Sequence, residues 1–250
     1  KTNNKIRLGY YSADFRNHAV SYQIANLFEM HNKSKFEIIG FSLGPKKNDE
    51  MQHRISNTFD KFIYVDQKTE SEIALLSREL EIDIAIDLMG FTKYNKFEIF
   101  LNRCAPIQIN YLGYPGTSGS NSIDYIIGDK ILIPEENQKN FSEKIIYLPN
   151  SYMVNDSNKK ISDKIIKREE FGLPKEGFVF CCFNKNYKIT PNIFDIWMKL
   201  LKKVDKSVLW LSEENTITIK NLKLEASKRG VNANRIIFSK RVSTLALHFA

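Results

Sequence analysis

The chain contains few cysteines, and their positions exclude two kinds of small protein. Only Cys104, Cys181 and Cys182 occur among the 250 residues, which is too few for a disulfide framework. Cys181 and Cys182 are adjacent and would point to opposite faces of a strand, so they neither pair with each other nor form a spaced metal motif. We interpret all three cysteines as structural residues.

Long apolar segments are also missing. No window reaches the roughly 18 uninterrupted apolar residues of a membrane span, and the start, KTNNKIRLGYYSADF, lacks the apolar region of a signal peptide. The hydrophobic content of 42% and the charged content of 26% are close to the globular average. We therefore expect a cytoplasmic protein with an ordinary core and no membrane partner.

Acidic residues are outnumbered, with 29 acidic against 37 basic residues and a formal net charge of +8. Such an excess fits a nucleic-acid binder, but the lysines are spread along the chain with acids between them. The sequence also lacks an aromatic-basic RNA-binding motif such as RNP1. We therefore do not expect a nucleic-acid partner, and a salt-dependent gel shift on RNA or DNA would test that expectation.

Short β-branched runs alternate with amphipathic stretches in the first part of the chain. The pattern predicts strands at IRLGYYS, FEIIGFSLG, KFIYV, IDIAIDLMG, PIQINYLG, DYIIGD and KIIYLP, with helices at SYQIANLFEMH and SEIALLSRELE. Strands that are apolar throughout are typical of a parallel sheet covered by helices on both faces. Ligands of such α/β sheets bind beyond the carboxyl ends of the strands, where DLMGFTK and NYLGYPGTSG would meet.

A second unit is predicted to begin near residue 160, where the polar segment YMVNDSNKKISDK interrupts the apolar pattern. FVFCCF reads as a buried strand, TPNIFDIWMKLLKKV as a helix capped by Thr190 and opened by Pro191, and SVLWLS and RIIFS as further strands. The last stretch, STLALHFA, begins another helix. Three strands leave an α/β sheet half built, so we expect the chain to be a fragment that is inactive alone.

Two loops of this pattern favour ligand binding. NYLGYPGTSGSNSIDYIIGDK places Gly113, Gly116 and Gly119 around one proline, which predicts a turn with bare backbone amides at the end of a strand. CCFNKNYKITPNIF places Lys185 and Lys188 just before a helix start, where unpaired amides and the helix dipole favour an anion such as phosphate. The alternative for the second loop is a solvated lysine beside an ordinary cap.

Four motifs together resemble the catalytic region of the O-GlcNAc transferase family, glycosyltransferase family 41, in its bacterial and SPINDLY-like branch: YYSADFRNH, APIQINYLGYPGTSGSNSIDYIIGDK, LGYPGTSG and CCFNKNYKITP. The resemblance implies a GT-B architecture of two Rossmann-like lobes with the second lobe incomplete. Residues 1–160 would form the acceptor and sugar lobe, and residues 161–250 a linker helix and the first part of the nucleotide-sugar lobe. The full-length protein would also carry tetratricopeptide repeats.

The activity implied by the resemblance is inverting, metal-free transfer of N-acetylglucosamine from UDP-GlcNAc to Ser or Thr of acceptor proteins, with no cofactor. We find no Asp-x-Asp pair or His cluster suited to a divalent ion beside a diphosphate. The alternatives left open are a SPINDLY-like O-fucosyltransferase that uses GDP-fucose and a non-catalytic binding protein that retains the fold. Sugar transfer by the full-length protein separates an enzyme from a binding protein.

The resemblance also implies roles for individual residues. His18 would lie near the reacting sugar and acceptor, and Lys188 would stabilise the leaving diphosphate together with the amides of the following helix. The remaining substrate-binding residues implied by the family motifs are Thr92, Leu112, Gly113, Tyr114, Pro115, Lys185, Tyr187, Thr190 and His248. A bare Gly113 would form a wall of the sugar site, where a side chain would block the donor.

This sequence departs from the family pattern at two places. Ala19 and Tyr22 stand where the family often has the proline and second histidine of His-Pro-x-x-His, and Lys185 stands where relatives usually carry Gln or Asn. Asp87 would lie within a buried strand run and either cap the core or relay a proton, and the first of these is our interpretation. Trp197 and Trp210 lie on periodic apolar runs and are interpreted as core residues.

Overall fold

The computed structural model describes residues 4–159, 163 and 166–240. The chain divides into a first unit, Lys1–Asn158, and a second unit, Lys159–Ala250. Each unit contains one sheet in which all neighbouring strands are parallel. This confirms the predicted α/β class. None of the helices in the described part of the chain has both the length and the apolarity that a membrane crossing requires.

The seven strands of the first unit and two of its helices lie where the hydrophobic pattern predicts them. The elements are β1 (Ile6–Ser12), α1 (Ala19–Glu29), β2 (Phe36–Ser42), α2 (Glu50–Ser56), β3 (Lys61–Tyr64), α3 (Glu70–Glu79), β4 (Ile84–Asp87), α4 (Glu98–Leu101), β5 (Ile107–Asn110), β6 (Tyr125–Gly128) and β7 (Lys144–Tyr147). The sheet has the strand order β3-β2-β1-β4-β5-β6-β7, and a short 3₁₀ helix, Glu135–Asn140, lies between its last two strands along the chain.

Both faces of this sheet are covered, which explains why its strands are apolar throughout. Consecutive residues of β1 pack into different clusters because side chains alternate across a strand. Tyr11 stacks on Phe41 with ring centroids 4.4 Å apart in one cluster, whereas Tyr10 contacts Phe28 at 4.9 Å in the other. Helix α2 was not predicted from the pattern. It begins at Asp49, whose side chain accepts a hydrogen bond from the backbone of Gln52.

An ion-pair cluster fastens the end of the first unit to its helices. Arg54 of α2 donates to Asp156 with an Nη1 to Oδ2 distance of 2.6 Å, and to Glu29 of α1 with an Nε to Oε1 distance of 2.7 Å. The Asp156 side chain is 2% exposed. Since a buried carboxylate needs a partner, Arg54 fixes the position at which the chain leaves this unit.

We expect Arg54→Ala to lower the free energy of unfolding of the first unit by about 2 kcal/mol, because the buried Asp156 would lose its two hydrogen bonds from Arg54. This loss is smaller than that expected for a fully buried ion pair, because Arg54 itself is partly exposed and solvent screens its charge. Urea denaturation followed by circular dichroism measures the loss. Lys33→Ala is the matched control, since Lys33 pairs with the exposed Asp60. Equal losses in both variants would contradict a special role for Arg54.

The second unit has three described strands in the order β10-β9-β8. A 3₁₀ helix, Arg168–Phe171, comes before them and ends at Gly172, whose φ of +70° requires the left-handed region. Leu209 and Leu211 pack against three residues of the first helix, Phe194, Met198 and Leu201. The elements are β8 (Val179–Cys182), α5 (Pro191–Lys203), β9 (Val208–Ser212), α6 (Thr216–Lys228) and β10 (Ile236–Ser239).

Two expectations for this unit are wrong. Strand β8 is not buried as a whole. Cys181 is exposed, whereas its neighbours Phe180 and Cys182 pack against the core cluster of this unit, because successive side chains of a strand point to opposite faces of the sheet. Trp210 is only partly buried, and its indole N–H donates to Ser239 Oγ at 2.7 Å. Trp197 packs at the margin of the core. The helix predicted at STLALHFA lies outside the described residues.

Candidate functional site

The loops that follow β1, β4 and β5 interlock at the carboxyl edge of the first sheet. We call these loops, residues 13–18, 88–95 and 111–116, the first rim. The Sδ atom of Met89 lies 3.3 Å from the backbone nitrogen of Ala13, and a Cβ on Gly90 would lie 2.4 Å from the Cβ of Tyr114. The two glycine-containing motifs therefore meet at one edge, as predicted.

His18 is the N-cap residue of α1. Its Nδ1 atom lies 3.4 Å from the backbone N–H of Val20 and 3.4 Å from Oδ2 of the buried Asp14. The first contact needs a lone pair on Nδ1 and the second needs a proton there, so the two contacts are alternatives for one nitrogen atom. The His18 side chain is 38% exposed, which leaves the imidazole accessible to a ligand.

Asp87 ends strand β4 and is fully buried. Its two carboxylate oxygens accept hydrogen bonds from the backbone of Met89 at 2.8 Å and of Gly90 at 3.0 Å. Burial raises the pKa of Asp87 to about 6, against the lowering effect of these two hydrogen bonds. Asp87 thus shapes the start of the loop after β4, which agrees with its interpretation as a capping carboxylate.

Thr92 lies in the same loop and turns its hydroxyl inward. Both its backbone N–H, at 3.3 Å, and its Oγ1, at 2.9 Å, donate to the carbonyl oxygen of Met89. The hydroxyl proton is therefore used within the loop, and a ligand would meet only the lone pairs of Oγ1.

The loop after β5 contains a strained turn. Leu112 is buried with φ of +66°, and the backbone N–H of Gly113 donates to the carbonyl of Tyr111 at 2.8 Å. A hydrogen bond between the first and third residues of a turn, with a positive φ at the residue between them, defines a γ-turn of the rare, non-inverse type. Tyr114 follows half-buried and Pro115 is exposed. Strain of this kind is typical of functional loops.

The reason for glycine at position 113 differs from the predicted one. A Cβ on Gly113 would lie 1.9 Å from the carbonyl oxygen of Leu88, so the space is already filled by backbone of the neighbouring loop. The absence of a side chain at position 113 is therefore required by the packing of the first rim. A substrate contact by the Gly113 backbone stays a prediction.

Glu143 holds the end of this glycine loop, at Thr117 and Ser118, by hydrogen bonds. The carboxylate is 5% exposed and accepts hydrogen bonds from Ser118 N at 2.6 Å, from Ser118 Oγ and from Thr117 Oγ1 at 2.7 Å. Burial would raise the pKa of Glu143, but the bonds from Ser118 and Thr117 outweigh it and hold the pKa below 4.5. The charged carboxylate therefore orders the segment after Pro115.

We expect Glu143→Gln to weaken the dependence of the free energy of unfolding on pH in the acid range. A carboxyl group with a lowered pKa contributes stability above its ordinary value of 4.5, and loses it as the pH falls through the folded-state pKa. The variant should be less stable than the parent at pH 7, and the two should converge at low pH. Urea denaturation at several pH values measures this, with the exposed Glu135→Gln as control. If the free energy of unfolding varies with pH in the same way in Glu143→Gln and in the parent, the charged carboxylate does not order the segment after Pro115.

The second rim consists of the loops after β8 and β9, residues 183–190 and 213–215. Thr190 caps α5 by accepting from the backbone of Ile193 at 3.4 Å, and Pro191 occupies the first turn, as predicted. Lys185 Nζ lies 3.6 Å from Glu214 Oε1. Tyr187 is 81% exposed, and Lys188 is exposed one residue before Ile189. These side chains therefore lie in the segment that leads directly into the 13-residue helix α5. His248 lies outside the described residues.

Positive charge is concentrated in the second unit. Residues 159–250 contain 19 basic and 9 acidic residues, whereas residues 1–158 contain 18 and 20. The lysines are therefore not spread evenly, and the formal charge of +8 combines a basic unit with a slightly acidic one. An anionic ligand is favoured at the second unit by its field as well as by the helix start.

Sequence reasoning missed three side chains that hold these sites. Asp14 lies beside His18 in the motif SADFRNH, where a carboxylate four residues before a histidine is a usable signal. Glu143 and Glu214 hold the loops of the two rims from distant positions in the chain, and no local pattern indicates them. Among the described residues no group of three His, Cys, Asp or Glu side chains is placed to hold a metal ion.

Comparison with protein families gives a match along nearly the whole chain. A profile described as Glycosyl transferase family 41 matches residues 1–167 and 160–246. A protein of Arabidopsis thaliana named a probable UDP-N-acetylglucosamine–peptide N-acetylglucosaminyltransferase SEC is 36% identical over 94% of this chain and 25% of its own length. A rice protein of the same printed activity, SPINDLY, is 32% identical over 81% of this chain and 22% of its own. The chain thus spans about a quarter of these relatives.

Solved structures agree with the family match. The O-GlcNAc transferase mutant K341M of Thermobaculum terrenum superposes with a TM-score of 0.86 at 26% identity, over 96% of this chain and 45% of that one. A glycosyltransferase from Rickettsia africae gives a TM-score of 0.60 at 10% identity, over 98% of this chain and 70% of that one. The second likeness shows the fold alone.

Proposed function

Because the chain belongs to glycosyltransferase family 41, with the GT-B type of α/β fold, we propose that it is part of a protein O-GlcNAc transferase. The substrates would be UDP-GlcNAc and a Ser or Thr hydroxyl of an acceptor protein. The observation that supports the proposal best is the second rim, where the exposed Lys185 and Lys188 precede the capped start of α5. This geometry suits a diphosphate.

The proposed reaction is a single displacement with inversion. The acceptor oxygen forms a bond to the anomeric carbon of the sugar while the bond from that carbon to the diphosphate oxygen breaks. The hydroxyl proton leaves to a base, and negative charge builds on the diphosphate. In this proposal Lys188 and the first amides of α5 stabilise that charge, while a contact of His18 with the reacting groups stays a prediction.

Charge and chemistry divide the proposed substrates between the two units. The basic second unit would take the anionic nucleotide through Lys185, Tyr187, Lys188 and Thr190. The first unit offers the half-exposed His18, the lone pairs of Thr92 and the backbone from Leu112 to Pro115, which suit a neutral sugar and its acceptor. His248 stays a predicted nucleotide contact. Tetratricopeptide repeats in the full-length protein and a cytoplasmic location also stay predictions.

The experiment is sugar transfer by the full-length protein with radiolabelled UDP-GlcNAc or GDP-fucose and an acceptor protein. We expect label from UDP-GlcNAc only, and the same rate with and without EDTA, since Lys188 and backbone amides replace a metal in the proposal. Transfer from GDP-fucose alone would favour the SPINDLY-like alternative. If neither donor gives transfer, the remaining alternative is a non-catalytic binding protein that retains the fold.

A further inference from the structure

The second rim contains a carboxylate beside its lysines. Glu214 is the second residue after β9, and its side chain is 24% exposed. One of its oxygen atoms, Oε1, lies 3.6 Å from Lys185 Nζ and accepts a hydrogen bond from the backbone N–H of Asn186 at 3.4 Å. Strands β8 and β9 are parallel neighbours, so their loops lie at the same edge of the sheet. One side chain from the loop after β9 thus contacts two residues of the loop after β8.

The backbone that carries Glu214 is held on both sides. Before it, the backbone N–H of Glu213 donates to the carbonyl oxygen of Ser239 in β10 at 2.9 Å. After it, Asn215 caps α6 by accepting a hydrogen bond from the backbone N–H of Thr218 at 2.8 Å. The Glu214 carboxylate therefore projects from a fixed backbone and is placed to restrain the loop after β8.

The turn that carries Lys188 receives little support from its own side chains. A 3₁₀ helix spans Asn186–Lys188, in which Tyr187 is 81% exposed and Lys188 is also exposed. Asn186 is 9% exposed, yet within the described residues neither polar atom of its side-chain amide has a hydrogen-bond partner. A buried amide without a partner destabilises the conformation that buries it. The hydrogen bond from the Asn186 backbone to Glu214 offsets part of this cost and fixes the turn.

The charge of Glu214 acts against the ligand proposed for this rim. A carboxylate next to the lysines repels a diphosphate, and it also attracts Lys185, the cation on which the diphosphate depends. The pair of Glu214 with Lys185 contributes little to stability, because the lysine side chain is 70% exposed. The benefit of Glu214 to the protein therefore lies in the hydrogen bond to the Asn186 backbone and not in the ion pair.

We propose that Glu214 is a positioning residue of the donor site, which fixes the turn carrying Lys188 and competes with the donor diphosphate for Lys185. This inference rests on the proposed function and adds a control on donor affinity to that site. Glu214 then acts on turnover through Lys188 and on donor binding through Lys185, and the two effects have opposite signs.

The test compares donor kinetics of the full-length enzyme and two variants of Glu214. Glu214→Gln removes the charge but keeps an oxygen atom that can accept from the Asn186 backbone, whereas Glu214→Ala removes both. The matched control is Glu176→Gln. Glu176 is exposed and comes before β8, at the opposite edge of the same sheet, so the control loses the same formal charge far from the second rim.

We expect Glu214→Ala to lower kcat about tenfold, because a displaced Lys188 stabilises the leaving diphosphate less well, and Glu214→Gln to restore most of the parent kcat. Both variants should lower KM for UDP-GlcNAc about threefold, the effect of one partly exposed ion pair. Glu176→Gln should match the parent in both constants. Initial rates over a range of UDP-GlcNAc concentrations at saturating acceptor protein measure them, and thermal melting checks that each variant is folded.

Three results would overturn the proposal. A parent kcat in Glu214→Ala would show that the turn needs no support from Glu214. An unchanged or raised donor KM in Glu214→Gln would show that the carboxylate does not compete with the donor. A lower kcat in Glu214→Ala with an unchanged donor KM and a lower melting temperature would reveal a loss of folded protein alone, which cannot lower KM.

Failure of the proposed function is detected separately. If the full-length parent transfers no sugar, UDP is titrated by calorimetry into the parent, Glu214→Gln and Glu176→Gln. Tighter binding of UDP by Glu214→Gln than by the other two proteins would support competition between Glu214 and a diphosphate in a protein that is not an enzyme. Equal affinity in all three proteins would overturn it.

Discussion

Lys188→Ala in the full-length enzyme is expected to lower kcat about a hundredfold, the scale found when one preorganised electrostatic donor is removed. KM for the donor should change little, because the charge on the diphosphate is greatest in the transition state. Lys188 stands in the turn before the 13-residue helix α5, where its ammonium group and the helix amides would act on the same oxygen atoms. Initial rates over a range of UDP-GlcNAc concentrations measure both constants.

Lys199→Ala is the matched control for this change. Lys199 is also exposed and lies on α5, but more than two turns from the helix start. The control should keep the parent kcat even though it loses the same formal charge. An equal loss in both variants would mean that net charge, not position, matters. A raised donor KM with an unchanged kcat in Lys188→Ala would assign Lys188 to ground-state binding alone.

Gly113→Ala is expected to lower the free energy of unfolding by about 4 kcal/mol, a loss that only a few mechanisms such as overpacking produce. Its Cβ would be built 1.9 Å from the carbonyl oxygen of Leu88, far closer than two such atoms can approach. The backbone of one of the two loops must therefore move, and the packing of the first rim would be lost with it. Urea denaturation followed by circular dichroism gives the value.

Gly119→Ala is the matched control for Gly113→Ala. It measures the cost of replacing a loop glycine at a position where the added Cβ meets no other atom. Gly119 has φ of +65° and nothing within 4 Å of an added Cβ, so only the left-handed backbone is penalised, by about 1 kcal/mol. Similar losses at the two positions would refute the clash with Leu88. A stable Gly113→Ala protein that no longer binds UDP-GlcNAc would restore the interpretation of Gly113 as a wall of the sugar site.

Features that depend on neighbours in sequence were predictable. The apolar runs of the first unit predicted its seven parallel strands because strands covered on both faces have few polar positions. Thr190 and Pro191 predicted the start of α5, since capping involves residues within one turn. Even the meeting of the loops after β4 and β5 followed from sheet topology, because carboxyl ends of neighbouring parallel strands lie at the same edge.

Features that depend on distant partners were not predictable. Glu143 orders a loop 25 residues away, and Arg54 reaches Asp156 across 102 residues, so neither pair leaves a local pattern. The packing reason for Gly113 was missed because it depends on the Leu88 carbonyl of another loop. Cys181 was expected inside because its strand reads as apolar, whereas its exposure depends on whether other elements cover its face of the sheet.

The uneven charge of the two units has a kinetic consequence. A nucleotide diphosphate in solution would be attracted to residues 159–250, with 19 basic and 9 acidic residues, and slightly repelled by residues 1–158. At physiological ionic strength the Debye length is about 8 Å, so this steering acts only over the last solvent layers before contact. Association of an anionic donor should therefore slow as salt is added, whereas that of a neutral acceptor peptide should not.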